Sequence, residues 1–318
     1  MSRSELPSAE VLIPHFNRAE SLRATLTALS RQTRRVPVRV VDNGSVDGTR
    51  EMLRLDFPDV ACTPLDSNLG FGAALNRGAA ESEADVLVFV NNDAVPEERF
   101  CEALLEAQAS SGAEMVAACL RRRDGRVESL GVEVDQSLIP VDVAYGEEWE
   151  GAVERHPTPP AGPSGGAAAY LHAAFSAAGG FDEGFFAYLE DVDLAIRMRM
   201  LGMRCVLAAA AVAWHEHSAT LGSGSGAKNR LLGCGQARLM RKYAANIGWS
   251  ARARGALIEA AIYGGKLLID RNLGAVHGRF EAARATPRGP TDPRFARVPI
   301  SERSMGETLR LRLRRRGV

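Results

Sequence analysis

The stretch VFVNNDAVPE, residues 88–97, decides the fold. Apolar residues run up to Val90 and then stop at two asparagines and an aspartate. Such a run is typical of a buried strand that delivers polar side chains to the edge of a sheet, where a ligand can meet them. Asp93 is therefore the first candidate functional residue of the chain.

Short runs rich in β-branched residues alternate with helical patterns in the first 120 residues. The runs are EVLI (10–13), VRVVD (38–42), VACTPL (60–65), DVLVFV (85–90) and EMVAACL (114–120). Between them, apolar residues recur at helical spacing, as at Leu22, Leu26 and Leu29. This βαβα order predicts an α/β fold with a mostly parallel central sheet flanked by helices.

Polar segments follow four of these runs directly. They are PHFN (14–17), DNGS (42–45), DSNLGFG (66–72) and NNDA (91–94). Each one alone fits an ordinary turn. Ligands of such sheets bind beyond the carboxyl ends of the strands, so four segments at the same end predict a binding site there.

Composition narrows the class of protein. The 318 residues are 46% hydrophobic, which is enough for a sizeable core. Basic and acidic residues both number 39, so net charge gives no reason to expect a nucleic acid partner. The charge is uneven, because residues 277–318 carry 11 arginines against four acidic residues.

Cysteine usage and apolar run length indicate the compartment. The five cysteines are widely spaced and form no C-x-x-C pair, so we expect reduced thiols in a cytosolic protein. No apolar segment has the length of a signal peptide at the N-terminus. The longest apolar run, CVLAAAAVAW (205–214), is about half of what a membrane-spanning helix needs.

Beyond residue 120 the pattern is less regular. RRRDGRVESLGVEV (121–134) predicts a hairpin, and the proline-rich HPTPPAGPSGG (156–166) predicts a surface loop or lid. Helices are predicted over 228–248 and 251–270. The final SMGETLRLRLRRRGV (304–318) fits an edge strand, an amphipathic tail on anionic lipid, or a disordered segment.

An acidic cluster heads a further helix that is predicted to start near Leu189. Glu190, Asp191 and Asp193 suit a helix N-terminus through the helix dipole alone. Positions 191 and 193 lie about 200° apart on a helix and cannot both face one site. Asp193 is spaced for a surface ion pair with Arg197.

Five longer motifs, taken together, resemble a known family. They are VLIPHFNRAESLRATLTALSRQ (11–32), VRVVDNGSVDGT (38–49), NLGFGAALNRGAAESEADVLVFVNNDAVPE (68–97), GGFDEGFFAYLEDVDLAIRMRMLGMR (179–204) and WHEHSAT (214–220). In this order and spacing, over roughly residues 10–245, they closely resemble the inverting family 2 glycosyltransferases of the GT-A fold. The rhamnosyltransferase-like branch is the most similar.

The resemblance implies a domain organisation. A GT-A domain would span residues 1–245, with a nucleotide-binding half at about 10–120 and an acceptor and catalytic half at about 121–245. Residues 246–318 would form a helical, basic C-terminal extension.

The resemblance also implies a nucleotide-diphosphate sugar donor, and it assigns a pocket for the nucleoside. Asp42 would accept a hydrogen bond from the imide N–H of uracil or thymine. The other residues of that pocket would be Pro14, Asn17, Asn68 and Asn76.

A divalent cation, Mg²⁺ or Mn²⁺, is implied at the diphosphate. Asp93 matches the last position of the family's D-x-D motif, with Asn91 and Asn92 before it in place of the other carboxylate. His215 would be a second metal ligand, although a lone histidine after a strand is more often structural. His217 lies on the same side of an extended HEH segment and could share the role.

Catalysis with inversion requires a base opposite the leaving group. Asp191 matches the family's base, and Glu190 is the competing candidate. Gly165 and Gly166 would line the acceptor pocket together with the turn before Asp191.

Two basic residues are candidates for a lid. Lys228 and Arg230 would cover the diphosphate after the flexible GSGSG (222–226). The chain departs from its relatives at Cys234 and Gly235, where they commonly carry Arg-Asn, and this puts in doubt a phosphate contact there.

The resulting hypothesis is a metal-dependent sugar transferase with a dTDP- or UDP-linked donor, L-rhamnose being the first guess. The acceptor would be a saccharide, glycolipid or metabolite of cell-wall or polysaccharide biosynthesis. We expect a cytoplasmic protein, with the basic C-terminus as a possible contact to the inner face of the membrane.

Two alternatives stay open. A nucleotidyltransferase would need a glycine-rich phosphate loop after the first strand, and PHFNRAES (14–21) does not supply one. A non-catalytic sugar-nucleotide-binding protein is suggested only by the departure at Cys234 and Gly235.

Overall fold

The protein was analysed as a computed structural model that describes residues 6–215 and 225–314. The strands of the main sheet are β1 (Ala9–His15), β2 (Val38–Asp42), β3 (Ala61–Pro64), β4 (Val86–Val90), β5 (Ala94–Pro96), β6 (Met115–Arg122), β7 (Val127–Ser129), β10 (Ala167–Leu171) and β11 (Cys205–His215). A smaller sheet contains β8 (Val132–Asp135), β9 (Pro140–Asp142) and β12 (Ile300–Ser301). The helices are α1 (Ala19–Leu29), α2 (Thr49–Asp56), α3 (Phe71–Glu81), α4 (Phe100–Ser111), α5 (Ala152–Arg155), α6 (His172–Ala177), α7 (Glu190–Met200), α8 (Gly226–Tyr243), α9 (Trp249–Asp270), α10 (Gly274–Ala285) and α11 (Met305–Arg314).

The main sheet has the strand order β3-β2-β1-β4-β10-β6-β11-β5, with β7 paired to β6. Among these strands of the described chain, β1, β2, β3, β4, β6 and β11 run in one direction. The mostly parallel α/β architecture predicted from the sequence is therefore confirmed. Strand β10 is antiparallel to both neighbours and is inserted between β4 and β6.

Alternating side chains of the buried strands form two separate apolar layers. On one face, Val11, Ile13 and Val88 pack with apolar residues of α1, α2 and α4. On the other face, Leu12 and Phe89 pack with α3, α6 and α7. Helices thus cover both faces of the sheet, and only the carboxyl ends of its parallel strands are left for a ligand.

The C-terminal segment packs against the rest of the molecule. Strand β12 pairs in parallel with β8, and α10 lies along α8. Helix α11 packs on α9. The edge strand and the disordered segment proposed for this part of the chain are therefore wrong for residues 305–314.

Two further expectations need correction. The proline-rich segment at 156–166 is not simply a surface loop, because residues 160–163 are buried and Arg199 donates hydrogen bonds to the carbonyl oxygens of Pro160 and Ala161. Asp193 does pair with Arg197, at 2.8 Å, but its side chain is fully buried rather than on the surface.

All five cysteines are free thiols, as predicted. Within residues 6–215 and 225–314, no helix combines the length and the apolar character that crossing a membrane would require.

Candidate active site

The second polar turn, at the end of β2, is organised around Asp42. Its side chain is fully buried, and Oδ1 accepts a hydrogen bond from the backbone N–H of Ser45 at 2.9 Å. The Arg50 guanidinium donates to Oδ2 from the exposed side. Each oxygen of Asp42 thus accepts one hydrogen bond and keeps a further lone pair.

Asn17 joins the first turn to the second. Its Oδ1 accepts from the N–H of Val46 at 3.0 Å, and its own N–H donates to Ser45 Oγ at 2.8 Å. Pro14 lies inside β1, buried and opposite Val41 of β2. Asn17 therefore holds the two turns together, and Pro14 lies within the sheet beside it.

The third turn, between β3 and α3, is held by two asparagines. Asn43 donates to Asn68 Oδ1 and to the carbonyl oxygen of Gly70, both at 3.0 Å, and accepts from the N–H of Leu69 at 2.8 Å. Asn68 Oδ1 also accepts from the N–H of Gly70. Asn68 is thus a structural member of the turn that borders the pocket.

Asn76 lies one turn further along α3, away from that turn. Its Nδ2 donates to the carbonyl oxygen of Phe181 and its Oδ1 accepts from the N–H of Phe181, both at 2.9 Å. These two bonds fix the glycine- and aromatic-rich segment that leads to α7. Asn76 therefore positions the segment before α7, and its predicted place in the nucleoside pocket stays a prediction.

Asn92 belongs to a buried network under the fourth turn. Its Nδ2 donates to His15 Nδ1 at 2.8 Å, and His15 Nε2 donates to Thr49 Oγ1 at 2.9 Å. Thr49 in turn donates to Asp47. Burial lowers the pKa of His15 to about 4, so the ring is neutral at pH 7.

Asp93 and His215 meet at the centre of the site. Asp93 Oδ1 lies 3.0 Å from His215 Nε2, and both side chains are 7% exposed. Asn91 Nδ2 lies 3.2 Å from the same nitrogen. Strand β5, which follows Asp93 directly, pairs with the end of β11, and this pairing brings the two residues together.

Glu128 completes this cluster, and the sequence interpretation missed it. Its Oε1 lies 2.9 Å from His215 Nδ1 on the side of the ring opposite Asp93. Burial lowers the pKa of His215, but the carboxylates of Glu128 and Asp93 outweigh this effect and raise the pKa to about 10. The signal available in the sequence was a glutamate inside a predicted hairpin strand, which carries no motif.

The donor set of this cluster fits a divalent cation. Asp93 Oδ1 and His215 Nε2 are buried 3.0 Å apart, and a carboxylate oxygen and an imidazole nitrogen are both ligands of divalent cations. Mg²⁺ needs only one or two protein carboxylates when phosphates supply other oxygens. The described residues contain no group of three or more His, Cys, Asp or Glu that could hold a metal ion, and His217 lies outside them.

Asp191 lies in the first turn of α7 and is held by two backbone groups. Its Oδ2 accepts from the N–H of Gly165 and its Oδ1 from the N–H of Val192, both at 2.8 Å. Burial raises the pKa of Asp191, and these hydrogen bonds oppose the rise. A carboxylate fixed in this way keeps lone pairs available for a substrate hydroxyl.

Gly165 and Gly166 connect the two carboxylate sites. A methyl group at Gly165 would lie 3.4 Å from Asp191 Oδ2, and one at Gly166 would lie 3.5 Å from His215 Cε1. Because the glycines are consecutive, the Asp191 carboxylate and the His215 ring lie within about 14 Å of each other. The predicted metal and base residues are therefore neighbours across two consecutive glycines.

Glu190 is more deeply buried than Asp191. It is 5% exposed, and Oε2 has no hydrogen-bond partner among the described residues. Burial and then the charge of Asp191 raise the pKa of Glu190 well above its usual range. A carboxyl that retains its proton is a poor base, so this environment favours Asp191 for that role.

The backbone before the two acids is strained. Tyr188 and Leu189 both have positive φ, 69° and 72°, which is unfavourable for residues with a side chain. Gly235 of α8 makes room for this turn, since a methyl group there would lie 2.7 Å from the carbonyl oxygen of Tyr188. The departure from the family at Gly235 therefore has a packing consequence at the base.

The two residues predicted for a lid differ in their contacts. Lys228 lies in the first turn of α8, is 8% exposed, and has its Nζ 5.7 Å from the centre of the Tyr188 ring. Burial lowers the pKa of Lys228, and the negative charge of Glu128 opposes the shift. Arg230 instead makes a two-point contact with Glu281 of α10, so it is held away from the cleft.

Comparison with known proteins gives sequence relatives of one kind. The sequence model described as "Glycosyl transferase family 2" matches residues 10–132. The N-acetylglucosaminyl-diphospho-decaprenol L-rhamnosyltransferase of Mycobacterium tuberculosis is 31% identical over 237 residues, covering 66% of this chain and 74% of that protein. The succinoglycan biosynthesis protein ExoA of Rhizobium meliloti is 30% identical over 64% of this chain and 62% of that protein.

Solved structures share the fold at low identity. GalNAc-T7, crystallised with UDP, GalNAc and Mn²⁺, matches with a TM-score of 0.62 and 13% identity over 89% of this chain, which spans 55% of that chain. The mannosyltransferase PcManGT of Pyrobaculum calidifontis, in complex with GDP-Man and Mn²⁺, matches with a TM-score of 0.55 and 20% identity. That match covers 92% of this chain and 79% of the mannosyltransferase.

Proposed function

Because the chain belongs to glycosyltransferase family 2, we propose that it transfers L-rhamnose or a related sugar from a dTDP- or UDP-linked donor to an acceptor hydroxyl, with inversion at the anomeric carbon. The observation that best supports this reaction is the proximity of the Asp93–His215 pair to Asp191, with Gly165 and Gly166 between them. A sugar ring between the two carboxylate sites would present its opposite faces to them.

The mycobacterial relative suggests a class of acceptor. The mycobacterial protein, by its name, acts on an N-acetylglucosaminyl-diphospho-decaprenol. We propose an acceptor of the same chemical kind for this chain, a saccharide carried on a polyprenyl diphosphate. A soluble saccharide or metabolite is the alternative acceptor.

Two residues of the cluster would hold a divalent cation, Mg²⁺ or Mn²⁺. Asp93 would supply a carboxylate oxygen, and His215 would supply Nε2 once the cation displaces the proton held there, while Nδ1–H donates a hydrogen bond to Glu128. When bound, the cation would neutralise the charge that develops on the departing diphosphate. Lys228 would add a positive charge at the N-terminus of α8, where backbone N–H groups also favour phosphate.

Asp191 would remove the proton from the attacking hydroxyl. The N–H groups of Gly165 and Val192 hold its carboxylate in place, so little orientation entropy is lost when the acceptor binds. Glu190, kept neutral by burial, would not compete for the proton. Attack from this side would invert the anomeric configuration, since the diphosphate leaves toward Asp93.

The test is a panel of dTDP- and UDP-sugars, each with Mn²⁺ or Mg²⁺, followed by thermal shift and by release of the nucleoside diphosphate. The preferred donor is then given a polyprenyl-diphosphate saccharide, and the anomeric configuration of the product is read by NMR. A shift and release with at least one donor, and an inverted product, are expected. Absence of release with every donor would overturn the proposal and leave only a binding protein.

A further inference from the structure

Helix α9 exposes an apolar face. Trp249 is 77% exposed and Leu257 is 64% exposed. Three exposed alanines lie on the same side, at positions 253, 256 and 260. At 100° per residue these five positions fall within an arc of about 100°, which contains no charged residue in the described part of the helix.

The opposite face of α9 is firmly anchored. Ile258 is fully buried, and Arg254 donates to the buried carboxylate of Asp135 at 2.8 Å. Glu259 is 7% exposed and pairs with Arg279 of α10. Since these contacts fix the rotation of the helix, its apolar face is directed outward by the fold itself.

Positive charge surrounds this face. Residues 249–318 contain 15 basic and six acidic residues, whereas the whole chain is neutral. Arg252 is exposed at one border of the apolar arc, about 60° from Trp249. Arg310 is exposed on α11, which packs against α9.

We propose that the exposed face of α9 docks on an anionic phospholipid bilayer, with the helix lying in the plane of the interface. An apolar helix face bordered by cations binds such interfaces through buried apolar area and attraction to anionic headgroups. Tryptophan favours the headgroup level, where its ring and N–H are both accommodated. The inference rests on the proposed function in one respect, that a polyprenyl-linked acceptor is reached from a bilayer surface.

Vesicle co-sedimentation of the full chain tests this surface. The vesicles contain phosphatidylcholine alone, or phosphatidylcholine and phosphatidylglycerol in equal parts. We expect binding to the anionic vesicles, and we expect Leu257→Glu to weaken it about tenfold or more, because it removes apolar area and adds a charge of the wrong sign. The matched control is Leu55→Glu on α2, the same change at a leucine that is 58% exposed, with less than a twofold effect expected.

A second measurement reports contact directly. Vesicles that contain brominated phosphatidylcholine should quench tryptophan fluorescence, and Trp249→Ala should remove most of that quenching. Thermal shifts with the donor, unchanged in both α9 variants, show that the cleft is intact and separate this test from that of the proposed function.

Three results would overturn the proposal. They are absence of vesicle binding, equal binding by Leu257→Glu and Leu55→Glu, and a dimer without vesicle binding that Leu257→Glu converts to a monomer. The last result would make the α9 face a contact between two copies of the chain.

Discussion

The two halves of the cleft differ in how their polar groups are satisfied. At the donor end, the side chains at the strand ends bond to one another and to nearby backbone, as Asn43 does with Asn68. At the catalytic end, Glu190 Oε2 is buried without a hydrogen-bond partner in the described chain, and the buried Asp93 Oδ1 is paired with the His215 ring. Buried carboxylate oxygens of this kind are costly, so their presence indicates a site built for charge that the substrate brings.

This difference suggests separate roles. The donor end is a pre-formed framework whose loss should reduce stability, and the catalytic end is a reactive cluster whose loss should reduce turnover or metal binding. Four predictions, three of them substitutions and one a dependence on pH, test this division.

The largest expected effect is on turnover at the catalytic end. Asp191→Asn retains the shape of the side chain but removes its basicity, so kcat should fall about a thousandfold or more while donor affinity stays unchanged. Steady-state kinetics and donor titration by calorimetry measure the two quantities.

Glu190→Gln is the matched control for this prediction, since it neutralises the adjacent carboxyl. We expect less than a tenfold loss of kcat, because burial already keeps Glu190 neutral. If Glu190→Gln is the more damaging substitution, the base is Glu190 and the role given to Asp191 is wrong.

At the donor end, we expect the free energy of unfolding to depend on pH. The pKa of His15 is about 4 in the folded protein and about 6.5 when unfolded, so the unfolded chain binds the extra proton first as pH falls. The stabilisation is complete above pH 6.5 and is lost between about pH 6.5 and 4. It amounts to about 3 kcal/mol of the free energy of unfolding.

Urea unfolding at several pH values measures this loss. His15→Gln should have lower stability at pH 7 but a weaker dependence on pH over the same range. Parallel pH curves for the two proteins would show that protonation of His15 does not disrupt the framework.

The third prediction concerns the affinity for Mn²⁺ of the cluster formed by Asp93, His215 and Glu128. Glu128→Gln removes the negative charge that orients His215, and the affinity for Mn²⁺ should fall about 10–100-fold. Electron paramagnetic resonance of free Mn²⁺, measured without donor, gives the affinity independently of activity.

Glu147→Gln is the control for Glu128, since Glu147 also contacts a histidine, His156, at 3.1 Å but outside the cluster. Its Mn²⁺ affinity should match that of the unaltered protein. Equal losses in both variants, or none in either, would contradict the role of Glu128.

Sequence alone predicted the framework well because its signals are local. Runs such as VRVVD and DVLVFV have the length and β-branched content of buried strands, and they became β2 and β4 within one residue. Asp191 at the start of α7 was also singled out, because an acidic cluster before a helical pattern indicates a helix N-terminus. Both features depend on neighbours within a few positions.

What the sequence could not predict depends on partners far along the chain. Strand β10 is AAAYL, which lacks a strong strand signal and is fixed by pairing with β4 and β6. Glu128 has its partner 87 residues away. The ion pair that withdraws Arg230 from the cleft joins residues 51 positions apart.

The smallest expected effect is on nucleotide affinity, and it tests the border between the two halves. Lys228→Met removes a buried charge that interacts with Glu128, so the Kd for UDP or dTDP with Mg²⁺ should rise about tenfold. Arg230→Met makes the same chemical change two residues away, at a side chain already bound to Glu281, and should change the Kd less than twofold. Calorimetric titration compares the two variants directly. Equal losses of affinity in the two variants would mean that Arg230 leaves Glu281 when the diphosphate binds. The catalytic end would then be less pre-formed than its buried carboxylates indicate.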